Sequence, residues 1–343
     1  MNYILLTIDV EDWFQVENFK QYIPFSSWPT RELRVEENTH HLLDLLDSIK
    51  LVQSSKFKAD SSKFKVEDPP YSWRTQSSES SNQQRATSSE QRAASSPKAT
   101  FFVLGWIAER FPQLIREIHS RGHEVASHGY LHNLCNQQSH EELKKDLIDS
   151  KKLLEDIIGS PVFGYRAPSF SIDNDILKMI EDCRYLYDSS YNSFAMNKRY
   201  GHIDISQNGR KGIAMQISKT DHATSTKSSI INHQSSILYE LPISNIKIKN
   251  LNLPWGGGGY FRLIPFPVFK MGVQSILKKE NAYLFYMHPW EVDPEQPRVS
   301  EASKFFKFRH YINLDKTVYK LSSFITAFKK CRFITCHDYL HLR

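Results

Sequence analysis

His128 and His132, spaced four residues apart, are the residues of this sequence whose type and spacing best suit metal binding. They follow a short apolar run that ends at Val125 and Ala126, as expected at the end of a buried strand. On a helical turn or a tight loop this spacing puts both imidazoles on one side, where they can bind one cation. The pair alone is weak evidence, because many such pairs are ordinary surface or hydrogen-bonded histidines. A metal site also needs a third ligand, a base and an acid.

Other polar residues of catalytic type also follow apolar runs. Asp9, Arg166, Asp188 and His288 each come directly after a predicted buried strand. Strands that alternate with helices predict a parallel α/β sheet or barrel, where functional residues lie at the C-terminal ends of the strands. One such residue is usually a cap or a satisfied loop group. Together with His128 there are five, which favours a shared active site.

This set of residues suits hydrolysis of an acyl bond. Two neutral histidines and a carboxylate form the open three-ligand site of a catalytic Zn²⁺. Such a metal lowers the pKa of bound water to about 7 and polarises a carbonyl oxygen. A carboxylate beside the metal can accept the water's proton, and a histidine opposite can protonate the leaving nitrogen. Arg166 near that base would hold it ionised, and Asp188 could anchor the arginine.

Five motifs together resemble those of the polysaccharide deacetylases of the NodB-homology group, carbohydrate esterase family 4. The resemblance covers nearly the whole chain except two polar insertions. It is closest to the subgroup associated with exosortase and PEP-CTERM exopolysaccharide systems, whose DUF3473-type C-terminal extension is similar to residues from about 200 onward. The motifs are Thr7-Ile8-Asp9-Val10-Glu11-Asp12, Ala99-Thr100-Phe101-Phe102, Ser127-His128-x-x-x-His132, Arg166-x-Pro168 and Met287-His288-Pro289.

The resemblance implies a role for each matched residue. Asp9 is the catalytic base, His128 and His132 bind the metal, Arg166 orients the base, and His288 is the acid. The implied fold is α/β, a distorted (β/α) barrel with fewer than eight complete units. The implied reaction removes acetyl groups from N-acetylhexosamine units of an exopolysaccharide. The expected cofactor is a divalent metal, Zn²⁺ first and Co²⁺ as an alternative.

The third metal ligand is the main departure from the family pattern. Many members have paired aspartates in the first motif, and the second binds the metal, but the matching residue here is Val10, which cannot. Along an extended strand end, Glu11 points to the same side as Asp9. Glu11 is therefore favoured as the ligand, with Asp12 as the alternative.

Residues beside the motifs are candidates for substrate contacts. Trp290 and Tyr130 could stack on a sugar ring, although core packing explains them as well. The glycines at 256–259 lack the Lys-Ser/Thr of a phosphate loop, and no helix clearly starts there, so a flexible loop that approaches the sugar is favoured. Glu291 could orient His288 or form a surface salt bridge. The full set of expected substrate contacts is Pro168, Tyr130, Gly258, Tyr260 and Trp290.

The 343-residue chain is predicted to consist of a catalytic domain, 1–295, and a C-terminal extension, 296–343, that packs on the barrel. Residues 52–97 are rich in Ser, Lys, Gln and Arg and predict a disordered insertion, and 206–236 predict a long loop. The net charge is +6, but the basic insertion lacks interleaved aromatic residues, which disfavours nucleic-acid binding. Two alternative functions remain: hydrolysis of a small or cyclic amide, and an inactive carbohydrate-binding relative.

The sequence predicts a cytoplasmic location. The first apolar run is too short for a signal peptide and leads directly into carboxylates, and no run approaches the roughly 20 apolar residues of a membrane span. The four cysteines are scattered, which predicts reduced thiols. Nothing in the sequence indicates the oligomeric state.

Overall fold

The computed structural model describes residues 1–51, 96–194, 199–204, 210–217, 237–249 and 251–342. The strands in these ranges are β1 (Tyr3–Val10), β2 (Ala99–Val103), β3 (Glu124–Ser127), β4 (Gly164–Tyr165), β5 (Tyr187–Asp188), β6 (Arg210–Lys211), β7 (Ala214–Gln216), β8 (Tyr239–Glu240), β9 (Asn245–Ile248), β10 (Leu251–Pro254), β11 (Ala282–Met287) and β12 (Arg332–Phe333). The helices are α1 (Val35–Ser48), α2 (Gly105–Arg110), α3 (Pro112–Ser120), α4 (His140–Ile158), α5 (Asn174–Asp182), α6 (Gly258–Leu263), α7 (Phe266–Glu280), α8 (Lys304–Tyr311), α9 (Thr317–Ala327) and α10 (Cys336–His341).

The main sheet is curled and mostly parallel, as in a half-barrel. Its spatial order is β11-β1-β2-β3-β4-β5-β8-β7-β6, and every pair from β11 to β8 is parallel. Only the last two pairs, β8–β7 and β7–β6, are antiparallel. Parallel strands need long crossovers, which the helices supply. The predicted α/β barrel with fewer than eight complete units is confirmed.

Side chains of the long strands alternate between two apolar clusters. Ile4, Leu6, Ile8 and Val10 of β1 belong to the cluster that includes helix residues such as Leu42 of α1. Leu5 belongs to a second, inner cluster, together with Phe102 of β2 and Leu284 of β11. The two-residue period of a strand therefore separates an outer, helix-covered face from an inner face. The same period continues past the strand ends and decides which polar residues can meet.

Local sequence signals mark several helix ends. The spacing of Ser139 and Glu142 predicts a capping box, which they form at the start of α4, and Gly159 ends that helix in the left-handed conformation. Pro112 occupies the first turn of α3. The sequence predicts Ser171 as the cap of the helix that follows it, but α5 is capped by Asp173, whose carboxylate accepts from the Ile176 amide. Ser171 instead donates to the Pro168 carbonyl.

Two loop predictions need correction. Residues 206–236 include the β6–β7 hairpin within their described part, so this segment is not a loop throughout. The glycine run is packed, because the Gly256 carbonyl accepts from the Tyr286 amide and a Cβ on Gly257 would lie 2.0 Å from the Tyr286 oxygen. Helix α6 starts at Gly258, in contrast to the predicted flexible loop. The predicted disordered insertion falls on residues 52–97, of which 52–95 lie outside the described residues.

The C-terminal segment packs directly on the barrel strands. Strand β12 pairs with the first residues of β1, so Tyr3 faces Arg332 in register. Tyr339 and Cys336 of α10 belong to the inner cluster. The extension is thus part of the barrel's core, while the boundary at residue 295 stays a prediction. In the described ranges, no helix has the length and apolar character needed to span a bilayer.

Candidate active site

Strand β1 delivers Asp9 and Glu11 to the inner edge of the sheet. Both lie an even number of residues after Leu5, so they point to the inner face of the sheet, whereas Val10 belongs to the outer cluster. Asp9 is buried, and its Oδ1 accepts a 2.6 Å hydrogen bond from Nη1 of the fully buried Arg166. Its second oxygen, Oδ2, lies 4.0 Å from Nε2 of His288. Asp9 therefore presents one bonded and one available oxygen at this edge.

His128 and His132 lie in the loop after β3, and both are buried. Nδ1 of His128 is 2.7 Å from the Arg166 carbonyl oxygen, which can only accept. This ring nitrogen therefore carries the proton and leaves the Nε2 lone pair free, the arrangement usual for metal-binding histidines. His132 takes a left-handed backbone conformation, with φ of 55°, and its ring centre lies 5.4 Å from that of His128.

The two histidines are held in the neutral form that metal binding requires. Burial lowers the pKa of His128 below its ordinary value, and it lowers the pKa of His132 to about 4. Removal from water disfavours the imidazolium form of each ring. Both side chains are therefore acceptors at neutral pH and suit a cation better than a second proton.

Glu11 lies between His132 and His288. Its Oε2 is 3.2 Å from His132 Nε2, and its Oε1 is 3.0 Å from His288 Nε2. Burial alone would raise the pKa of Glu11, but the charges that His132 and His288 carry when protonated outweigh burial and lower it to about 2. The carboxylate is thus ionised at neutral pH, beside both predicted metal-binding histidines.

The donor set of this cluster fits a divalent metal. Oε2 of Glu11 is buried and has no hydrogen-bond partner. Its 3.2 Å separation from His132 Nε2 matches the roughly 3.3 Å between two ligand atoms of a tetrahedral zinc ion, each about 2.0–2.1 Å from the metal. Within the described residues, no three His, Cys, Asp or Glu side chains already form a group able to hold a metal.

Asp12, the alternative third ligand, points away from the histidines. Its Oδ1 accepts from the Trp13 amide at 2.8 Å, and its Oδ2 accepts from the amides of Arg34 and Val35 at 2.8 and 3.1 Å. These last two amides lie at the start of α1, where backbone donors lack partners within the helix. Asp12 therefore caps α1 from the outer side of the strand end, and of the two candidates Glu11 is the one in the site.

Substitutions at these two carboxylates are expected to separate their roles. If Glu11 is the third ligand, Glu11→Gln should weaken Zn²⁺ binding by more than the ~100-fold that loss of a residue hydrogen-bonded to a ligand can cost. Asp12→Asn should change Zn²⁺ affinity by less than about threefold, since its contacts are backbone amides of α1. Competition titration against a chelator measures both, and a greater loss of affinity in Asp12→Asn would contradict the assignment.

Arg166 is anchored by Ser189 and Thr7. The prediction that Asp188 anchors it is wrong. Its Nε donates to the Ser189 carbonyl at 2.9 Å, its Nη2 to the Ser189 hydroxyl at 2.8 Å, and its Nη1 to the Thr7 hydroxyl at 2.8 Å. Tyr187 belongs to the inner cluster, so Ser189 also points inward and Asp188 points outward. The predicted partner, Asp188, is the neighbour of the residue that binds Arg166, and its side chain therefore points to the opposite face of the strand.

Asp188 instead forms a buried pair with Glu240. The two residues are in register on β5 and β8, and both side chains are fully buried. Burial raises the pKa of both carboxyls, and for Glu240 the neighbouring Asp188 raises it further. Asp188 also accepts from the Ser190 hydroxyl, which in turn accepts from the Ala167 amide beside Arg166.

His288 is held by a carboxylate that the sequence left undecided. Nδ1 of His288 lies 2.8 Å from Oε1 of Glu291, which is buried, so Glu291 orients His288 and is not a surface residue. Burial alone would lower the pKa of His288, but Glu11 and Glu291 outweigh it and raise the pKa to about 10. The ring also stacks on Trp290, with centroids 5.0 Å apart. His288 is therefore a protonated imidazole of fixed orientation.

Arg262 completes the support of His288, a role that no pattern in the sequence predicted. Its Nε donates to Oε2 of Glu291 at 2.7 Å. Its remaining nitrogens donate to three backbone carbonyls of the C-terminal extension, those of Arg309, His310 and Ile312, at 2.7–3.0 Å. The arginine thus links the extension to the acid side of the site.

A pocket of about 140 Å³ opens over these residues. Asp9, Glu11, both metal-site histidines and His288 line it, together with Gly258 and Trp290 of the predicted substrate contacts. The other three are not among its described lining residues. Tyr130 donates to Glu109 over α2, Tyr260 packs edge-on against Phe194, and Pro168 is buried in a turn. Described lining residues that the sequence did not suggest include Arg199, Tyr200, Tyr286 and Arg309.

Two family models match this chain, side by side. Residues 93–187 match the model described as Polysaccharide deacetylase, and residues 189–341 match the domain of unknown function DUF3473. Each model covers less than half of the 343 residues, so the matches show what these two segments are similar to. The second match begins at Ser189, so it includes His288, Glu291 and Arg262.

Individual curated relatives are similar to about a quarter of the chain. Peptidoglycan deacetylase-like protein FGM2 of Gibberella zeae is 35% identical over 96 residues, which are 28% of each chain. A peptidoglycan-N-acetylglucosamine deacetylase of Bacillus cereus is 31% identical over 88 residues, 26% of this chain and 41% of the relative. The chain thus matches less than half the length of either. A solved Mycobacterium smegmatis structure described as a polysaccharide deacetylase shares the fold, with a TM-score of 0.53, 16% identity and coverage of 97% and 85%.

Proposed function

We propose that this protein is a divalent-metal-dependent hydrolase that removes acetyl groups from N-acetylhexosamine units of a polysaccharide. The observation that carries the proposal is the convergence of four side chains on one pocket edge. Asp9 Oδ2 and His288 Nε2 lie 4.0 Å apart there, and Glu11 Oε2 lies 3.2 Å from His132 Nε2. A base, an acid and metal-binding donors are the groups that hydrolysis of an amide needs.

His128, His132 and Glu11 would hold the metal. Zn²⁺ suits this donor set of two imidazoles and one carboxylate, and Co²⁺ is the next candidate. When bound, the metal would polarise the acetyl carbonyl and lower the pKa of a water molecule to about 7. The carbonyl of Arg166 keeps His128 in the required tautomer by accepting its Nδ1 proton.

The chain's own residues would move the protons. Asp9 accepts the proton of the attacking water at Oδ2, while Arg166 holds Oδ1 and so fixes the direction of the carboxylate. His288 donates its Nε2 proton to the leaving amine, and Glu291 keeps the ring in place through Nδ1. Each such transfer contributes typically about 10²–10⁴-fold. The contact between Glu11 and His288 Nε2 must break during the cycle, because Nε2 then donates to the leaving amine and Glu11 would bind the metal.

We further propose an exopolysaccharide substrate, within the exosortase and PEP-CTERM subgroup, and a cytoplasmic location. The pairing of the deacetylase match with DUF3473 supports the first part, since the motifs resemble that subgroup. The names of the two relatives, which refer to peptidoglycan, support an N-acetylated sugar polymer as the substrate class. All four cysteines are free, which supports a reducing compartment.

A substrate series is expected to distinguish a sugar polymer from a small amide. Acetate release after Zn²⁺ loading should rise in kcat/KM from the N-acetylhexosamine monomer to the pentamer, because neighbouring units contact the pocket rim and contribute binding energy. Amide hydrolysis of small linear and cyclic amides serves as the comparison. Faster turnover of the small amides, or no gain with chain length, would contradict the proposed substrate class.

A further inference from the structure

Helix α8 carries an exposed face of aromatic and basic side chains. Its sequence is Lys304-Phe305-Phe306-Lys307-Phe308-Arg309-His310-Tyr311, and it contains three Lys or Arg residues and no carboxylate. His310 is buried, and Phe306 packs against the outer core cluster. Phe305 and Phe308, three residues apart on the opposite side, are 62% and 54% exposed. Residues at this spacing lie on one helix face, so the two rings form a single patch.

This patch differs from isolated exposed apolar residues, which are common on soluble proteins. Lys304 precedes the two rings, Lys307 lies between them in sequence, and the Arg309 guanidinium lies 5.7 Å from the Phe305 ring centre. Lys307 also donates from Nζ to the Ser300 carbonyl at 3.1 Å, and Glu301 lies within its electrostatic reach. Aromatic rings flanked by cations are typical of helices that lie in the interface of an anionic bilayer. The rings enter the acyl boundary, and the cations contact lipid phosphates.

The patch is joined rigidly to the pocket. Arg309 and His310 of α8 both line it. Their backbone carbonyls accept hydrogen bonds from Arg262, which is bonded to Glu291 beside His288. His310 also stacks on Trp290 with ring centroids 4.1 Å apart. A surface that contacts α8 would therefore lie next to the mouth of the pocket.

We propose that α8 docks this protein reversibly on an anionic membrane surface, with Phe305 and Phe308 inserted at the level of the lipid headgroups. A sugar polymer fits the patch less well, because phenylalanine has no polar atom to bind hydroxyl groups and the helix offers no carboxylate. Charge complementarity selects anionic lipid. The inference goes beyond the proposed deacetylation and does not depend on it.

Vesicle sedimentation tests this docking directly. The full chain should bind phosphatidylcholine vesicles containing 30 mol% phosphatidylglycerol, a fraction we chose to give a strongly anionic surface. Binding to pure phosphatidylcholine should be at least about tenfold weaker, and added salt should weaken binding, because the cations act through screened charge. The double variant Phe305→Ser/Phe308→Ser should lower the partition coefficient at least about tenfold.

Ile148→Ser provides the matched control. Ile148 is 44% exposed on α4, where the neighbouring Lys145 is paired with Asp149, so its loss should leave vesicle binding unchanged. Circular dichroism confirms that each variant is folded, and acetate release from soluble oligosaccharide should be unchanged in the double variant. Equal binding to neutral and anionic vesicles, or no loss in the double variant, would overturn the proposal. Binding to a neutral polysaccharide that the double variant loses would also overturn it.

Discussion

Asp9→Asn and His128→Ala are both expected to lose acetate release, and only His128→Ala is expected to lose metal binding. Asp9 contacts Arg166 and the pocket but has no direct contact with either metal-site histidine in the described structure. Its replacement removes the proposed base and should lower kcat by about 10²–10⁴-fold. His128→Ala removes a proposed metal ligand, so Zn²⁺ affinity should fall together with turnover.

Isothermal titration with Zn²⁺ and an acetate assay measure these two losses separately. His119→Ala is the control, because His119 is an exposed histidine near the end of α3 and should change neither quantity. Asn at position 9 can still accept from Arg166, so the buried arginine keeps a partner. Equal Zn²⁺ affinity in Asp9→Asn and His128→Ala would contradict the roles assigned here.

Arg262→Met is expected to lower the free energy of unfolding by about 3–5 kcal/mol. The Arg262–Glu291 pair has side chains that are each only 1% exposed, and removal of one partner leaves the other charge buried without compensation. Three backbone carbonyls of residues 309–312 also lose their donor. Urea unfolding followed by tryptophan fluorescence measures the change.

The comparison is an exposed ion pair. Lys145 pairs with Asp149 on α4, with side chains 77% and 49% exposed. Lys145→Met should therefore shift the free energy of unfolding by less than about 1 kcal/mol. If Arg262→Met costs no more than Lys145→Met, then the arginine does not hold the C-terminal extension against the acid side of the site.

The site residues on the inner face could be predicted because the two-residue alternation of side chains continues beyond the last residue of a strand. Asp9 and Glu11 share the inner face with Leu5, and this explains why Glu11 could be favoured over Asp12 from the sequence alone. His128 follows Ala126 on the same face of β3. Hydrophobic runs identified these strands and their ends. Both the fold class and the residues at the C-terminal edge of the sheet could therefore be predicted.

The same rule, applied to β5, would have corrected the prediction for Asp188. Tyr187 is in the inner cluster, so the next inward residue is Ser189, which bonds Arg166 twice. The prediction chose a carboxylate as the partner of the arginine and did not consider which face of the strand the side chain lies on. An uncharged serine next to a carboxylate gives little sequence signal, but a backbone carbonyl and a hydroxyl satisfy a guanidinium as well.

The support of His288 could not be predicted from local patterns. Arg262 meets carbonyls that lie 47–50 residues further along the chain, and no spacing rule connects them. Glu291 lies three residues after His288, where a surface salt bridge was an equal alternative until its burial was known. Packing of the C-terminal extension decides both contacts. The Trp290 ring, stacked between His288 and His310, depends on the same packing.

The most direct test of a metal-dependent deacetylase is acetate release by the wild-type chain titrated with Zn²⁺ after chelation. The geometry at Glu11, His128 and His132 predicts one bound metal per chain and acetate release from an N-acetylated oligosaccharide that rises in proportion to bound metal. Substoichiometric metal binding at saturating Zn²⁺, without acetate release, would contradict the proposed function and favour a carbohydrate-binding protein on the same fold.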